Sequence, residues 1–287
     1  MMYREIAYYN GECGPPSEIR IPLEERGFIF GEGIYEAVLA YNHIFWGLDD
    51  HLDRLEESLA FIEMPMPMSR KTLTSELEKG ISMVEGDMLC AYFQVTRGAG
   101  PRFHSYADFP GAVLTYVIRP MDGKQTYMET GLKAITETDV RWANCHIKTT
   151  NLIPHVMATT HAQKAGAYTA IFHRNGMITE GAAYNVFMVK DGVIHTAPLS
   201  REILPGVTRK HFIPLAASCG IPLRERSFSL AEMYAADEVF LTATPMYPGP
   251  VVAIDGKTIG DGKVGPIALA LHRAYEELIA AHCGPLK

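Results

Sequence analysis

The chain has 287 residues, of which 47% are apolar and 21% are charged, and its formal net charge is −7. This length allows one large or two smaller domains with an ordinary apolar core. The acidic balance argues against nucleic acid or an anionic membrane as the main partner, although a local positive site could bind a small anion. No apolar stretch is long enough to span a bilayer.

The N-terminus and the cysteines favour a cytoplasmic protein. The first residues, Met-Met-Tyr-Arg-Glu, lack the charged-then-apolar pattern of a signal peptide. The five cysteines are scattered and include no C-x-x-C pair. This spacing predicts reduced thiols rather than a disulfide framework or a zinc site. We therefore expect a cytoplasmic enzyme without a metal.

The first third of the chain predicts antiparallel strands and two helices. The Asn10-Gly11 pair is typical of a tight hairpin turn, and residues 33–46 favour a bent pair of strands that turn at Asn42-His43. Asp49 is the predicted N-cap of the first helix. The first helix has an apolar stripe of Leu52, Leu55, Leu59 and Ile62, and the second has a stripe of Leu73, Leu77, Ile81 and Val84. Two predicted strands follow, at residues 89–97 and 112–119.

Residues 120–126 are polar and rich in helix breakers, and this composition predicts an interdomain linker. Beyond the linker, Asn-Gly and Asp-Gly pairs at 175–176 and 191–192 predict hairpins between short strands. The grouping of strands, hairpins and helices favours an α+β chain with domains at 1–119 and 127–287 over a doubly wound parallel sheet. The predicted helices of the second domain lie near 153–165, 207–219, 229–235 and 264–282.

Lys148 lies in a stretch with little formal charge. Between residues 140 and 154, Arg141 is the only other charged residue. An ammonium group among apolar residues is costly to keep charged, which favours its use as a nucleophilic or basic amine. A Schiff base with a carbonyl compound needs such an amine. The lysine therefore predicts covalent amine chemistry only if the rest of the chain supplies an electron sink and an anion site.

Glu180 is a candidate for part of that electron sink. It follows the predicted hairpin turn at 175–176 and precedes a predicted buried strand at 185–189. The residue fits either a structural carboxylate in a salt bridge or a carboxylate that faces a pyridine nitrogen. In the second case, its charge would favour the protonated, electron-accepting ring.

The run Leu204-Pro205-Gly206-Val207-Thr208 is a candidate anion site, because it opens a predicted helix. Free backbone N–H groups at a helix N-terminus and a hydroxyl group together suit a phosphate. Ordinary helix initiation by proline and glycine is the alternative interpretation. Thr242 and Thr244, at the end of a predicted strand at 238–241, offer further hydroxyl groups.

Four further residues have an ordinary and a functional interpretation. Arg54 lies four residues after Asp50, which predicts a surface helix pair, but a guanidinium could also bind phosphate. Arg102 and His104 alternate in a loop and could together bind a carboxylate, or could simply be solvated. Tyr35 is either a core aromatic residue or a member of the same site.

The order of these signals resembles the fold-type IV pyridoxal 5′-phosphate (PLP) enzymes, and among them the D-amino acid transaminases. The likeness extends from about residue 25 to residue 265. It implies a smaller N-terminal α/β domain and a larger C-terminal domain with mixed sheets and a barrel-like core. The motifs that carry it are RGFIFGEGIYE (26–36), HLDRL (51–55), FQVTRG (93–98), RFH (102–104), RW (141–142), IKTTN (147–151), HRNGMITEG (173–181) and ILPGVTR (203–209).

The resemblance implies a role for each candidate. Lys148 would form the Schiff base with PLP and move the substrate proton, and Glu180 would face the pyridine nitrogen. Arg102 and His104, with Tyr35 beside them, would bind the carboxylate of a D-amino acid, from a loop that reaches the neighbouring subunit of a homodimer. The phosphate and the ring would be held by Arg54, Leu204, Val207, Thr208 and Thr244.

The Arg-x-His pair decides between subfamilies, since it favours a D-amino acid:2-oxo acid aminotransferase. D-alanine is the expected donor, and 2-oxoglutarate or pyruvate is the expected acceptor. The alternatives on the same fold are an aminodeoxychorismate lyase and a branched-chain or (R)-amine transaminase. A further alternative, from a different functional class, is a non-catalytic PLP-binding protein. Tyr184 stands where the family often has a serine-rich run, which leaves the side-chain preference open.

Overall fold

The structure is a computed structural model that describes residues 2–109, 111–121 and 126–286. The chain divides into two compact units. Residues 147–151, which the predicted bounds assign to the second domain, belong to unit 1. Residues 122–125 of the predicted linker lie outside the described residues. Unit 1 comprises Met1–Gly123, Ile147–Asn151 and Ile279–Lys287, and unit 2 comprises Lys124–His146 and Leu152–Leu278.

In its described residues, unit 1 contains an antiparallel six-stranded sheet, three complete helices and the end of the C-terminal helix. Its strands lie in the order β2-β1-β6-β5-β3-β4, and both predicted hairpin turns are present. The elements are β1 (Ile6–Tyr9), β2 (Glu12–Gly14), α1 (Arg26–Phe30), β3 (Gly33–Tyr41), β4 (Ile44–Phe45), α2 (Leu48–Phe61), α3 (Arg70–Ser82), β5 (Met88–Thr96) and β6 (Val113–Pro120).

The core of unit 1 forms between the helices α2 and α3 and one face of this sheet. Apart from Ile62, which is half-buried and packs against the cluster, the predicted stripes of both helices are buried in one cluster with alternate residues of β3 and β5, as the helical and strand periods require. The predicted N-cap of α2 is wrong. Gly47 is the N-cap, with φ 68°, and Asp49 lies inside the first turn. A negative charge at Asp49 still suits the positive end of the helix dipole.

Unit 2 contains a mixed nine-stranded sheet, whose main path is β12-β11-β10-β13-β14-β7-β8-β9. Pairs β11/β12, β14/β7 and β7/β8 are parallel, and the others are antiparallel. The elements are α4 (Tyr127–Thr130), β7 (Leu132–Thr138), α5 (Ile153–Lys164), β8 (Thr169–Arg174), β9 (Met177–Gly181), β10 (Asn185–Lys190), β11 (Val193–Thr196), α6 (Val207–Ser218), β12 (Leu223–Glu225), α7 (Leu230–Tyr234), β13 (Glu238–Ala243), β14 (Met246–Ile254), β15 (Lys257–Thr258) and α8 (Pro266–Cys283). The last residues of α8, from Ile279 onward, belong to unit 1.

The sheet of unit 2 curls back on itself. Strand β9, at one end of the path, also lies against β10, which is third from the other end. The hydrogen bond from Gly181 N–H to the Tyr184 carbonyl (2.6 Å) ties this junction. The predicted α+β class and the barrel-like core are therefore confirmed. In the described part of the chain, no helix has both the length and the apolar character needed to cross a membrane.

Candidate active site

The Lys148 segment is held against strand β3 of unit 1. Thr149 forms an antiparallel bridge with Ile34, and Tyr35 N–H donates to the Lys148 carbonyl (3.0 Å). These contacts fix the backbone on both sides of the lysine. The Lys148 Nζ lies 4.2 Å from the centroid of the Tyr35 ring. The structure thus brings Lys148 and Tyr35 together, and the half-buried Tyr35 is not a core aromatic residue.

Arg54 and Glu36 form a buried ion pair in the same unit. Arg54 is 6% exposed, so the prediction that it lies on the helix surface is wrong. The Nε and Nη2 atoms of Arg54 donate to the two oxygens of Glu36 at 2.8 and 2.7 Å. His51 Nδ1 lies 2.7 Å from the same carboxylate. Since an ionised carboxylate only accepts, Nδ1 carries the proton. We call Lys148, Tyr35, Arg54, Glu36 and His51 the lysine cluster.

The pKa values of Glu36 and His51 are both lowered. Burial alone would raise the pKa of Glu36, but the Arg54 charge and the hydrogen bonds from Arg54 and His51 lower it to about 2. Burial lowers the pKa of His51 and outweighs its contact with Glu36. The folded protein therefore keeps Glu36 ionised and His51 neutral.

These shifts predict that acid destabilises unit 1 in two stages. As the pH falls below 6.5, the ordinary pKa of histidine, His51 becomes protonated in the unfolded chain but stays neutral in the folded protein. This difference lowers the free energy of unfolding. Below 4.5 the unfolded chain also protonates Glu36, and this contribution is lost as the pH approaches about 2. Replacing His51 by glutamine, which can donate without titrating, should make the melting temperature less sensitive to pH between 6.5 and 4.5. An unchanged slope would contradict the assignment, and His161→Gln at an exposed histidine is the matched control.

Arg102 and His104 lie on the loop after β5, and both are near the ring of Phe30 in α1. The Arg102 guanidinium carbon lies 5.5 Å from the centroid of the Phe30 ring, and the His104 ring lies 5.6 Å from it. Arg26 supports this loop, since its Nη1 donates to the Phe103 carbonyl (2.7 Å). Arg102 and His104 are both exposed, and neither forms an ion pair within the described residues. Two donors thus lie near one aromatic ring, and among the described residues neither of them pairs with a carboxylate.

Glu180 belongs to a buried charged network in unit 2. It is 5% exposed on β9, and its Oε1 pairs with Arg141 Nη1. The other oxygen, Oε2, accepts from Leu204 N–H (2.9 Å) and from Asn185 Nδ2 (3.3 Å). Burial raises the pKa of the Glu180 carboxyl, and Arg141 opposes the rise. We call Glu180, Arg141, Asp139, Asn185 and Leu204 the glutamate cluster.

The N-terminus of α6 lies next to the glutamate cluster. Helix α6 begins at Val207, and its N-cap, Gly206, has no side chain to cap the first amides. The first helical bond is donated by Lys210 N–H to the Gly206 carbonyl (2.9 Å), so the Val207 and Thr208 amides precede the helical hydrogen-bond pattern. A Cβ at Gly206 would overlap Asn185 Oδ1. Close packing therefore requires glycine at the start of the helix.

The hydroxyl groups near α6 add donors to this region. Helix α6 packs on β13, where Thr242 is buried and its Oγ1 has no hydrogen-bond partner among the described residues. Thr244 lies two residues later, in the turn between β13 and β14. A buried hydroxyl without a partner is unfavourable in an empty protein interior. Amide and hydroxyl donors together with a buried carboxylate acceptor suit the phosphate and the ring nitrogen of a phosphorylated pyridine.

Each predicted residue thus lies in one of two units. Lys148, Tyr35, Arg54, Arg102 and His104 belong to unit 1. Glu180, Leu204, Val207, Thr208 and Thr244 belong to unit 2. The sequence interpretation assigned no role to four charged or polar residues, although Glu36 and His51 lie inside the quoted motifs RGFIFGEGIYE and HLDRL. The other two are Asp139, two residues before Arg141, and Asn185, five residues after Glu180.

Residues 33–254 match the family model described as amino-transferase class IV. The chain belongs to this family. The D-alanine aminotransferase of Listeria innocua is 39% identical over 274 residues, which cover 94% of this chain and 95% of that protein. The D-alanine aminotransferase of Bacillus licheniformis is 37% identical over 271 residues, which cover 94% and 96%. The predicted resemblance is confirmed, and the protein is an aminotransferase.

The solved structures agree on the fold. The branched-chain amino acid aminotransferase of Escherichia coli superimposes with a TM-score of 0.89, over 99% of this chain and 97% of that one. Because the identity is 23%, this likeness concerns the fold alone. It confirms the predicted fold-type IV architecture without bearing on the substrate.

Proposed function

We propose that the protein is a PLP-dependent D-amino acid:2-oxo acid aminotransferase, with D-alanine as a donor and 2-oxoglutarate or pyruvate as an acceptor. The observation that carries the proposal is the 39% identity, over 94% of the chain, to a protein named D-alanine aminotransferase. The exposed pair Arg102 and His104 supports it independently, since two donors suit a substrate carboxylate.

The residues of each cluster, taken separately, suit the chemical groups of PLP. Bound PLP supplies an aldehyde that reacts with amines and a pyridine ring that accepts electrons when it is protonated. Glu180 would face the ring nitrogen and hold its proton, and Leu204 would support the ring. The Val207 and Thr208 amides, the Thr244 hydroxyl and the Arg54 guanidinium would bind the phosphate. Arg54 is already oriented for this task, because Glu36 holds two of its nitrogen atoms.

Lys148 is the catalytic residue in this proposal. Its Nζ would hold the cofactor through the aldehyde and would become free when the amine of the substrate replaces it. The free Nζ then accepts the proton from the substrate Cα. The Tyr35 ring beneath the amine limits the directions from which Nζ can approach, and so helps to select one face of the substrate.

Arg102 and His104 bind the substrate carboxylate from the neighbouring subunit of a homodimer in this proposal. Exposed apolar side chains support such an assembly. Phe103, between the two donors, is 68% exposed, and Ile153 and Val156 on α5 are 72% and 62% exposed. Apolar surface of this kind is typical of a protein interface. A cytoplasmic location is part of the proposal, and the five free cysteines agree with a reducing compartment.

One assay tests the proposed reaction. The protein, loaded with PLP, is incubated with 2-oxoglutarate and either D-alanine or L-alanine, and pyruvate and glutamate are measured separately. We expect both products from D-alanine and little of either from L-alanine. Turnover of L-amino acids only, across a panel of side chains, would contradict the proposal and favour a branched-chain activity. Release of pyruvate from a chorismate-derived amine, with no turnover of either alanine enantiomer, would instead indicate a lyase.

A further inference from the structure

Asp139 is a buried carboxylate that the proposed reaction does not use. It follows β7, and its N–H donates to the His173 carbonyl (2.9 Å). Both of its oxygens bind Arg141: Nε donates to Oδ1 (2.9 Å), and Nη2 donates to Oδ2 (2.7 Å). The Arg141 N–H also donates to Oδ1 (3.1 Å). The side chain of Asp139 has no exposed surface, and that of Arg141 is 2% exposed.

Arg141 therefore bridges two buried carboxylates in an unequal way. It binds Asp139 through a two-point contact and Glu180 through Nη1 alone. A guanidinium holds a carboxylate best through two parallel hydrogen bonds. Asp139 thus fixes the plane of the guanidinium, and the position of Nη1 beside Glu180 follows from that plane.

The charges of the cluster do not cancel. Asp139 and Glu180 contribute two negative charges and Arg141 one positive charge, which leaves one net negative charge in a buried site. The other charged residues nearby are Arg174, whose Nε lies 3.3 Å from Asp139 Oδ2, and Glu202, whose Oε1 lies 3.3 Å from Arg174 Nη1. This second pair adds no net charge. The buried negative charge needs a positive partner.

We propose that Asp139 is a positioning residue that, by binding Arg141, keeps the negative charge of Glu180 available to the protonated ring nitrogen of the cofactor. This inference rests on the proposed function, because it assumes that PLP binds with its ring nitrogen at Glu180. Without Asp139, Arg141 and Glu180 would form a neutral pair and would favour the ring proton less. Thr179, which donates from Oγ1 to Asp139 Oδ2 (3.0 Å), orients Asp139 but carries no charge.

The test measures the ring proton directly. The holoenzyme is reconstituted with PLP that carries ¹⁵N at the ring nitrogen, and the ¹⁵N chemical shift is followed against pH. Asp139→Asn keeps the shape of the side chain and removes its charge. We expect the pKa of the ring nitrogen to fall by about one to two units, and kcat for D-alanine to fall with it. Asp255→Asn is the matched control, because Asp255 also binds β7, at Thr136, but is exposed.

Two further variants keep the test decisive if Asp139→Asn does not fold. Thr179→Val removes a hydrogen bond but no charge, so the ring titration should stay at the wild-type value even if the melting temperature falls. Arg174→Gln removes the half-exposed cation beside Asp139 and should raise the pKa of the ring nitrogen. An unchanged ¹⁵N titration in Asp139→Asn, or in Arg174→Gln where Asp139→Asn does not fold, would overturn the inference. Failure of the wild-type protein to bind PLP would overturn the proposed function instead.

Discussion

Lys148→Ala is expected to lower D-alanine transamination by at least about 10⁴-fold, because one amine provides both the covalent attachment and the proton transfer. The variant should still fold. The contacts that hold the segment against β3 are made by backbone groups of Tyr35, Lys148 and Thr149, and alanine retains them. It should also still bind PLP, through the proposed phosphate and ring contacts. The visible absorption band of lysine-attached PLP should disappear, and the absorption band of the free aldehyde should take its place.

The matched control is Lys133→Ala, which removes an exposed lysine on β7 and should keep both the activity and the absorption band. Persistence of the band in Lys148→Ala would assign the attachment to another lysine. If Lys148→Ala loses activity but keeps the band, another lysine attaches PLP and Lys148 serves only in proton transfer. Restoration by an added primary amine, such as methylamine, is the expected signature of a missing base.

The sequence predicted most of the secondary structure, because the turns and helix stripes are local signals. The Asn10-Gly11 and Asn175-Gly176 turns have positive φ at both residues, as the turn type requires. The stripes of α2 and α3 are buried as their spacing predicts. The N-cap of α2 was missed because a glycine at positive φ, rather than Asp49, begins that helix. Which residue begins the helix depends on the path of the preceding strand and not on the local preference of a residue type for the N-cap position.

The partners of the buried charges could not be predicted, since they come from distant strands. Arg54 was expected on a helix surface beside Asp50, yet it binds Glu36, which is 18 residues away. Arg141 was noted as a lone charge near Lys148, yet it binds both Asp139 and Glu180, and Glu180 is 39 residues away from it. Sequence spacing carries no signal for such pairs until the sheet order is known. Both interpretations of Glu180 describe it in part, because it lies in a salt bridge within the proposed site.

Arg102→Ala is expected to lower kcat/KM for D-alanine by about 10- to 100-fold, which corresponds to the loss of one charge-assisted hydrogen bond to the carboxylate. Turnover of D-alaninol or an (R)-amine, which lack the carboxylate, should change little. Equal losses on both kinds of substrate would contradict the assignment. Arg201→Ala, at an exposed arginine in unit 2, is the matched control and should leave both rates unchanged.

The same variant can reveal which subunit supplies Arg102. If the loop acts in the neighbouring subunit, a mixed dimer of Lys148→Ala and Arg102→Ala chains contains one site with both residues intact. Coexpression in equal amounts should then restore about a quarter of the wild-type activity, since half of the dimers are mixed and each has one intact site. If Arg102 instead acts within its own chain, every site lacks one of the two residues, and the mixture should show only the sum of the two variants. The exposed position of Arg102 beside Phe30, without a protein carboxylate as partner within the described residues, leads us to expect restoration.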